Sequence, residues 1–351
     1  MQNDFIKRYG GEKNSLRSFI SCCGLSVCGR GFEKYGKNIY SCAFFPATYI
    51  TLKTDDSGKF SIQFADENIQ YVCAIEKLSE YDDKTEQGRV FKQINRFKGK
   101  VNGAKILFNF DVYEKNFRKC EEAVITAFET MNYGYIREEN LFLDLKGGRK
   151  EFIGGELFGR KNSLYGINDN NNSEYLPFNI SGNRLIIITS EMKNENISEK
   201  LYKAYENIKK MYELTGNNGK AEIVKRKSED KYENYILHEI NRTREIINIL
   251  KSGKIKEIQP FEEEATVELS KLLGKSGEKL LRMYETAKNS GMCELVLPAY
   301  EYGGVAAVVK DEWVDNFIER ISEEYEKRDG ISPSFYICDT ASSGIEMLTE
   351  N

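Results

Sequence analysis

The stretch from Gly303 to Leu348 constrains this chain more than any other, because it reads as strand, helix, strand with a stop signal at each junction. Gly303 to Val309 is a β-rich run behind two glycines. Asp311 is suited to cap a helix, since a short acidic side chain accepts from the free N–H groups of the first turn. Trp313, Val314, Phe317, Ile318, Ile321 and Tyr325 recur at three- and four-residue steps, which places them on one helical face. Lys327 and Arg328 fall in the last turn, where the helix dipole favours cations, and Gly330 is a C-terminal stop. Pro333 cannot extend the helix, and Ser334 to Cys338 reads as another strand.

The chain of 351 residues is long enough to bury a sizeable core and to divide into two domains. Its net charge of −4, with 30% charged residues, gives no basic excess for nucleic acid or an anionic membrane surface. No apolar run approaches the roughly 18 residues that span a bilayer. Asp4, Lys7, Arg8 and Lys13 leave no apolar core for a signal peptide, so a cytoplasmic protein is expected. The eight cysteines are scattered through apolar runs without paired C-x-x-C spacing, and His238 is the single histidine. Buried free thiols are expected, and no metal site.

Along the chain, Ser15 to Cys22 reads as the end of an N-terminal helix. Leu25 to Arg30, Ile39 to Lys53 and Lys59 to Phe64 read as strands of an antiparallel sheet. Thr85 to Val101 reads as a helix, Ile106 to Val112 as a strand, and Arg137 to Lys146 as a further helix. Phe117, Cys120, Ala123, Val124, Ala127, Phe128 and Met131 form an apolar stripe, with Lys115, Arg118, Lys119, Glu121 and Glu122 as its solvated face. Lys115, Arg118 and Lys119 make a small anion site only as the weaker reading of that face. Arg184 to Thr189 is a buried strand. Leu201, Ala204, Tyr205, Ile208 and Tyr212 form a helical stripe that Gly216 to Gly219 breaks. Helices over Glu229–Leu250, Glu262–Leu273 and Glu278–Ser290 lead to a strand at Glu294–Leu297. His238 reads as a packing residue.

The segment Gly330, Ile331, Ser332, Pro333, Ser334, Phe335, Tyr336, Ile337, Cys338 resembles the Gly-Ile-x-Pro-Ser-Phe-Tyr-x-Cys closing segment of galactokinases, in the GHMP family of small-molecule kinases. Glu151, Phe152, Ile153 and Gly154 match that family's Glu-Phe-Ile-Gly. The resemblance implies an α+β fold of two domains. The first, residues 1–190, would be ribosomal-S5-like, and the second, residues 191–351, would be helices on a small antiparallel sheet.

The family's chemical residues are replaced. Its sugar-binding glutamate, histidine and aspartate fall on Gly36, Lys37 and Ile39. Its glycine- and serine-rich phosphate loop falls on Lys115 to Glu122, where Glu121 and Glu122 would repel ATP phosphates. Its catalytic base falls on Lys161 or Asn162, and neither is a carboxylate. Glu156 would reach the site only through a remodelled loop. Arg30 matches the arginine that stabilises the transferred phosphoryl group. Read on its own, Arg30 is a surface arginine at a strand end. Of the third family motif Gly303 and Gly304 survive, as a nucleotide cradle or, more simply, as a tight turn.

The resemblance therefore implies a galactokinase-like protein without catalysis, a pseudokinase with a regulatory or binding role in carbohydrate metabolism. No cofactor is expected, and its partner would be a protein or a small molecule. The alternative is an active sugar kinase using Mg-ATP to phosphorylate galactose or a related sugar at the anomeric hydroxyl. A third reading is a binding module in which Lys37, Lys115, Lys161 and Arg30 favour an anionic ligand.

Overall fold

A computed structural model describes residues 1–32, 38–81, 83–144, 150–168, 170–190, 197–215, 228–330 and 332–347. Contacts divide the chain into two compact units. Unit 1 is Met1–Gly24, Ala43–Arg160 and Ala341–Asn351, and unit 2 is Leu25–Cys42 and Lys161–Thr340. A boundary at residue 190 cuts the sequence once, whereas these units divide the contacts, and two strands pass from one unit into the other.

In chain order the first elements are α1 (Gln2–Tyr9), β1 (Arg17–Cys28), β2 (Ile39–Thr54), β3 (Lys59–Phe64), β4 (Gln70–Ala74), α2 (Glu86–Asn95), β5 (Ala104–Phe110), α3 (Cys120–Tyr133), β6 (Phe142–Asp144), β7 (Lys150–Phe152) and α4 (Gly154–Phe158). Then come β8 (Ser163–Ile167), β9 (Ser173–Pro177), β10 (Asn183–Thr189), α5 (Ser198–Thr215), α6 (Lys231–Lys251), α7 (Gln259–Leu272) and α8 (Gly274–Asn289). The chain closes on β11 (Cys293–Ala299), β12 (Gly304–Lys310), α9 (Val314–Asp329), β13 (Ser334–Cys338) and β14 (Ile345–Met347).

The sheet of unit 1 runs in the order β14-β1-β2-β5-β3-β4. β2 and β5 pair antiparallel from Thr48 opposite Phe110 to Thr54 opposite Ala104, and β3 lies parallel to β5. Alternation puts Ile50, Leu52, Ile106 and Phe108 on the face that packs against Phe91 of α2 and Phe128 of α3. Thr85 caps α2 by accepting from the Gly88 N–H. That helix stops at Asn95 rather than Val101, because the chain turns through Gly99 at φ 84°. Gly134, at φ 79°, ends α3 and returns its N–H to the Thr130 carbonyl.

Two helical expectations fail in unit 1. Ser15–Cys22 is not helical: residues from Arg17 onward form β1, buried on both faces. An apolar run without alternation does not separate a two-sided strand from a buried helix, and Gly24 lowers helix propensity in this one. Arg137–Lys146 gives a single 3-10 turn at Glu138–Asn140 and then β6, which pairs with β7, while Lys146 lies outside the described residues. Leu143 is drawn into a cluster with Ile125, Ile153 and Leu157, and that packing favours the strand.

In unit 2 the antiparallel sheet runs β11-β12-β10-β13, and the β8–β9 hairpin pairs with Ile39–Ser41 of β2. Ile186, Ile188, Val305 and Ala307 meet Leu201, Ile236, Leu280 and Phe317 from the helices. The stripe on α5 is buried at Leu201, Ala204 and Ile208. The side chain of Tyr212, the break at Gly216–Gly219 and Ile331 lie outside the described residues. α9 ends at Gly330 in the left-handed region, φ 67°. Asp311 does not cap α9. It sits in a 3-10 turn ahead of the helix, and its Oδ1 pairs with Arg184 Nε at 2.8 Å. All eight cysteines are free thiols, seven of them buried and Cys293 partly so.

Candidate functional site

In unit 1 the chain leaves β5, passes Lys115–Phe117 as a short turn and enters α3 at Cys120. No side chain caps this helix. The Lys119 N–H instead donates to Thr48 Oγ1 on β2 at 2.8 Å. Lys119 Nζ lies 3.4 Å from Glu156 Oε1 on α4 and 3.9 Å from Glu122 Oε1 in the first turn of α3. The three residues are 8%, 5% and 4% exposed for Lys119, Glu122 and Glu156.

This corrects the solvated-face reading. Lys115 is exposed as expected, but Lys119 and Glu122 are buried. Arg118 is also not a free anion ligand. It binds Asp66 and Glu86 and lies 4.5 Å over the Phe110 ring.

Burial pushes the Glu122 carboxyl up to about 8, with Lys119 opposing, and pushes Glu156 up as well. Glu156 Oε2 has no hydrogen-bond partner. The carboxylate lies over the backbone of β1 at Gly24, where an added Cβ would stand 2.3 Å from Glu156 Cδ. Only glycine leaves room for it. Glu156 thus lies beside Lys119, at the start of α3.

In unit 2, Arg30 is not a surface arginine. It is 1% exposed, with Nη1 donating to Glu262 Oε2 and Nη2 to the Ser26 carbonyl, each at 2.8 Å. Glu239 Oε1 accepts from the N–H groups of Gly29 and Arg30 at 3.0 and 3.1 Å. Arg242 donates to Glu239 Oε2 at 3.0 Å and to Glu268 Oε2 at 2.6 Å. His238, expected to pack, is half-exposed on α6 and pairs with Glu268. Burial pushes the Glu262 carboxyl up to about 7 against the opposing pull of Arg30. Glu239 and Arg242 sit three residues apart on α6, a spacing that hints at an ion pair. Nothing local pointed to Glu262, which is 232 positions from Arg30.

Gly36 and Lys37 lie outside the described residues. Ile39 is fully buried and pairs with Ile167. Lys161 is exposed. Asn162, at φ 58°, holds a turn: its N–H donates to Thr340 Oγ1, its Oδ1 accepts from that hydroxyl, and its Nδ2 donates to Ser181 Oγ. Gly303 closes a turn at φ 77°. A Cβ on Gly304 would stand 1.7 Å from the Ile188 carbonyl oxygen, so both glycines answer to backbone geometry. With Arg30 buried, the set Lys37, Lys115, Lys161 and Arg30 does not offer four open cations. Among the described residues no three His, Cys, Asp or Glu side chains are grouped to hold a metal. Among the same residues no helix is long and apolar enough to cross a membrane.

No family profile matches the chain. It is 22% identical to the galactokinase of Bacillus subtilis (strain 168) over 384 aligned residues, covering 97% of each chain. Its fold matches the crystal structure of Lactococcus lactis galactokinase complexed with galactose at a TM-score of 0.79 and 14% identity, over 99% of this chain and 98% of that one. A mevalonate kinase structure matches at a TM-score of 0.59 and 12% identity, over 93% and 99% of the two chains. Full-length similarity, the closing Pro-Ser-Phe-Tyr segment and the shared α+β architecture agree: this chain is a relative of the galactokinases with the two-domain fold of the GHMP small-molecule kinases.

Proposed function

We propose that this galactokinase relative does not transfer phosphate and acts as a binding or regulatory protein linked to carbohydrate metabolism. One observation carries the reading: Arg30, the one catalytic position the chain retains, is committed to a buried ion pair with Glu262 and to the Ser26 carbonyl. A guanidinium that stabilises a transferring phosphoryl group must face it and be released toward it. The other positions support the same conclusion. Lys161 and Asn162 supply no carboxylate to take a proton from a sugar hydroxyl, and Asn162 is engaged with Thr340 and Ser181. Neither Mg-ATP nor another cofactor is needed for this role, and the partner is a protein or a small molecule.

The test is calorimetric titration of the purified full chain with Mg-ATP, with and without saturating galactose, beside a phosphate-transfer assay over a panel of sugars. Absence of both binding at millimolar nucleotide and transfer is expected. Turnover of any sugar would overturn the reading in favour of an active Mg-ATP sugar kinase.

A further inference from the structure

We infer that Asn102 is a site of spontaneous covalent modification: the Asn102-Gly103 step cyclises to a succinimide and opens to aspartate and isoaspartate, which loosens the end of the β2–β5 ladder.

The fold itself demands the glycine that makes Asn102 reactive. A Cβ at position 103 would stand 2.4 Å from Asp55 Oδ1, 2.8 Å from Ser57 Oγ and 2.9 Å from the Lys59 carbonyl oxygen. The first two belong to turn side chains, but the third is backbone of β3, so only glycine fits without moving the strand. Glycine also leaves its own amide nitrogen unhindered as a nucleophile. Asn102 is exposed, while Val101 and Ala104 to either side of the pair are 7% and 1% exposed. Among the described residues no hydrogen bond holds the Asn102 carboxamide, and the Gly103 N–H donates to none. Position 103 lies just ahead of β5, outside its ladder. Only the Gly103 carbonyl is engaged, accepting from the Asp55 N–H at 2.9 Å. Electrophile and nucleophile are thus neighbours in the chain, and neither has to give up a partner to react.

In the reaction hydroxide takes the Gly103 amide proton. The amide nitrogen bonds to Asn102 Cγ, the Cγ–Nδ2 bond breaks, and ammonia leaves with a proton from water. Water then adds to one of the two imide carbonyls. Opening at the side-chain carbonyl gives aspartate, and opening at the main-chain carbonyl gives isoaspartate, whose main chain runs through Cβ and Cγ. Either product adds a negative charge close to Asp55 and Asp56, and like charges across a strand pair are destabilising. Isoaspartate also lengthens the main chain by one carbon between two buried residues. Both changes fall on the Asp55–Gly103 hydrogen bond that closes the ladder.

The test incubates the purified full chain at mildly alkaline pH and body temperature. Trypsin, cutting after Lys100 and Lys105, then releases Val101–Lys105 for mass spectrometry, and the chain's other Asn-Gly pair, Asn218-Gly219, falls in a different peptide. Conversion at Asn102 should run within about tenfold of its rate in a synthetic Val101–Lys105 peptide and yield both aspartate and isoaspartate. In Asn102→Gln, which would have to close a six-membered ring, it should fall about tenfold or more. Slower conversion in the folded chain than that, aspartate without isoaspartate, or undiminished conversion in Asn102→Gln overturns the inference. Hydrogen exchange at the Asp55 amide should be about tenfold faster in the isoaspartyl fraction than in fresh protein. An unchanged exchange rate overturns the loosening of the ladder.

Discussion

Arg30 Nη1 and Glu262 Oε2 face each other at 2.8 Å, with the two residues 1% and 0% exposed. The pair ties the end of β1 to α7 within unit 2, and Glu239 fastens the adjacent backbone from α6. A buried pair is worth little against a well-packed apolar replacement, but it is expensive to break from one side.

Glu262→Gln should therefore cost about 3–5 kcal/mol, because the Arg30 guanidinium stays buried with its charge unmatched. Arg30→Met/Glu262→Leu should cost clearly less than the sum of the single changes. Denaturant unfolding of the four proteins forms a double-mutant cycle, and additive effects would show that the pair is not coupled.

Glu122 makes stability fall with rising pH. Its folded-state carboxyl titrates at about 8, above the ordinary 4.5, so the folded chain binds the proton more tightly than the unfolded one. Stability from this group is full below 4.5, declines between 4.5 and about 8, and is level above. Glu122→Gln should flatten that decline and exceed the wild type by about 1–4 kcal/mol above pH ~8. Thermal melts across the range check it. A wild-type curve that rises over the same window would exclude this account.

Gly24→Ala should destabilise unit 1 by about 1–3 kcal/mol, because the new Cβ meets the Glu156 carboxyl carbon at 2.3 Å and the neighbouring Lys119 pair resists its displacement. The same substitution in a Glu156→Ala background should be nearly free. Equal costs in both backgrounds would mean that the carboxylate is not what fills the space.

Ser343, on the segment leading into β14, accepts from the Cys22 N–H at 2.7 Å and donates to the Glu156 carbonyl. Ser343→Ala leaves a buried N–H and a buried carbonyl without this hydroxyl and should cost about 1–3 kcal/mol. Hydrogen exchange at the Cys22 amide should accelerate in the variant. An unchanged exchange rate would show that the hydroxyl does not protect it.

Much of the architecture was legible in the chain itself. The helices α6, α7 and α8, the stripe on α9, the Gly330 stop and the strands β10, β12 and β13 were each read from signals within a short stretch of chain. The Pro-Ser-Phe-Tyr segment carried ancestry in the same local way. The misreadings arose where a local pattern was outvoted. Ser15–Cys22 is apolar on both sides because β1 is covered on both faces, and Asp311 turned to Arg184 instead of the helix behind it. At the candidate site the partners of Arg30, Lys119 and Glu122 were not visible along the chain.

The sequence by itself determined the fold class, because its strand and helix signals depend on residue type at short spacing. Only the tertiary structure decided that Arg30 is locked to Glu262, that Lys119 and Glu122 are buried, and that Glu156 occupies the space over Gly24. The charge state and partner of a polar side chain depend on burial and on neighbours brought from distant positions, and no periodicity along the chain encodes either.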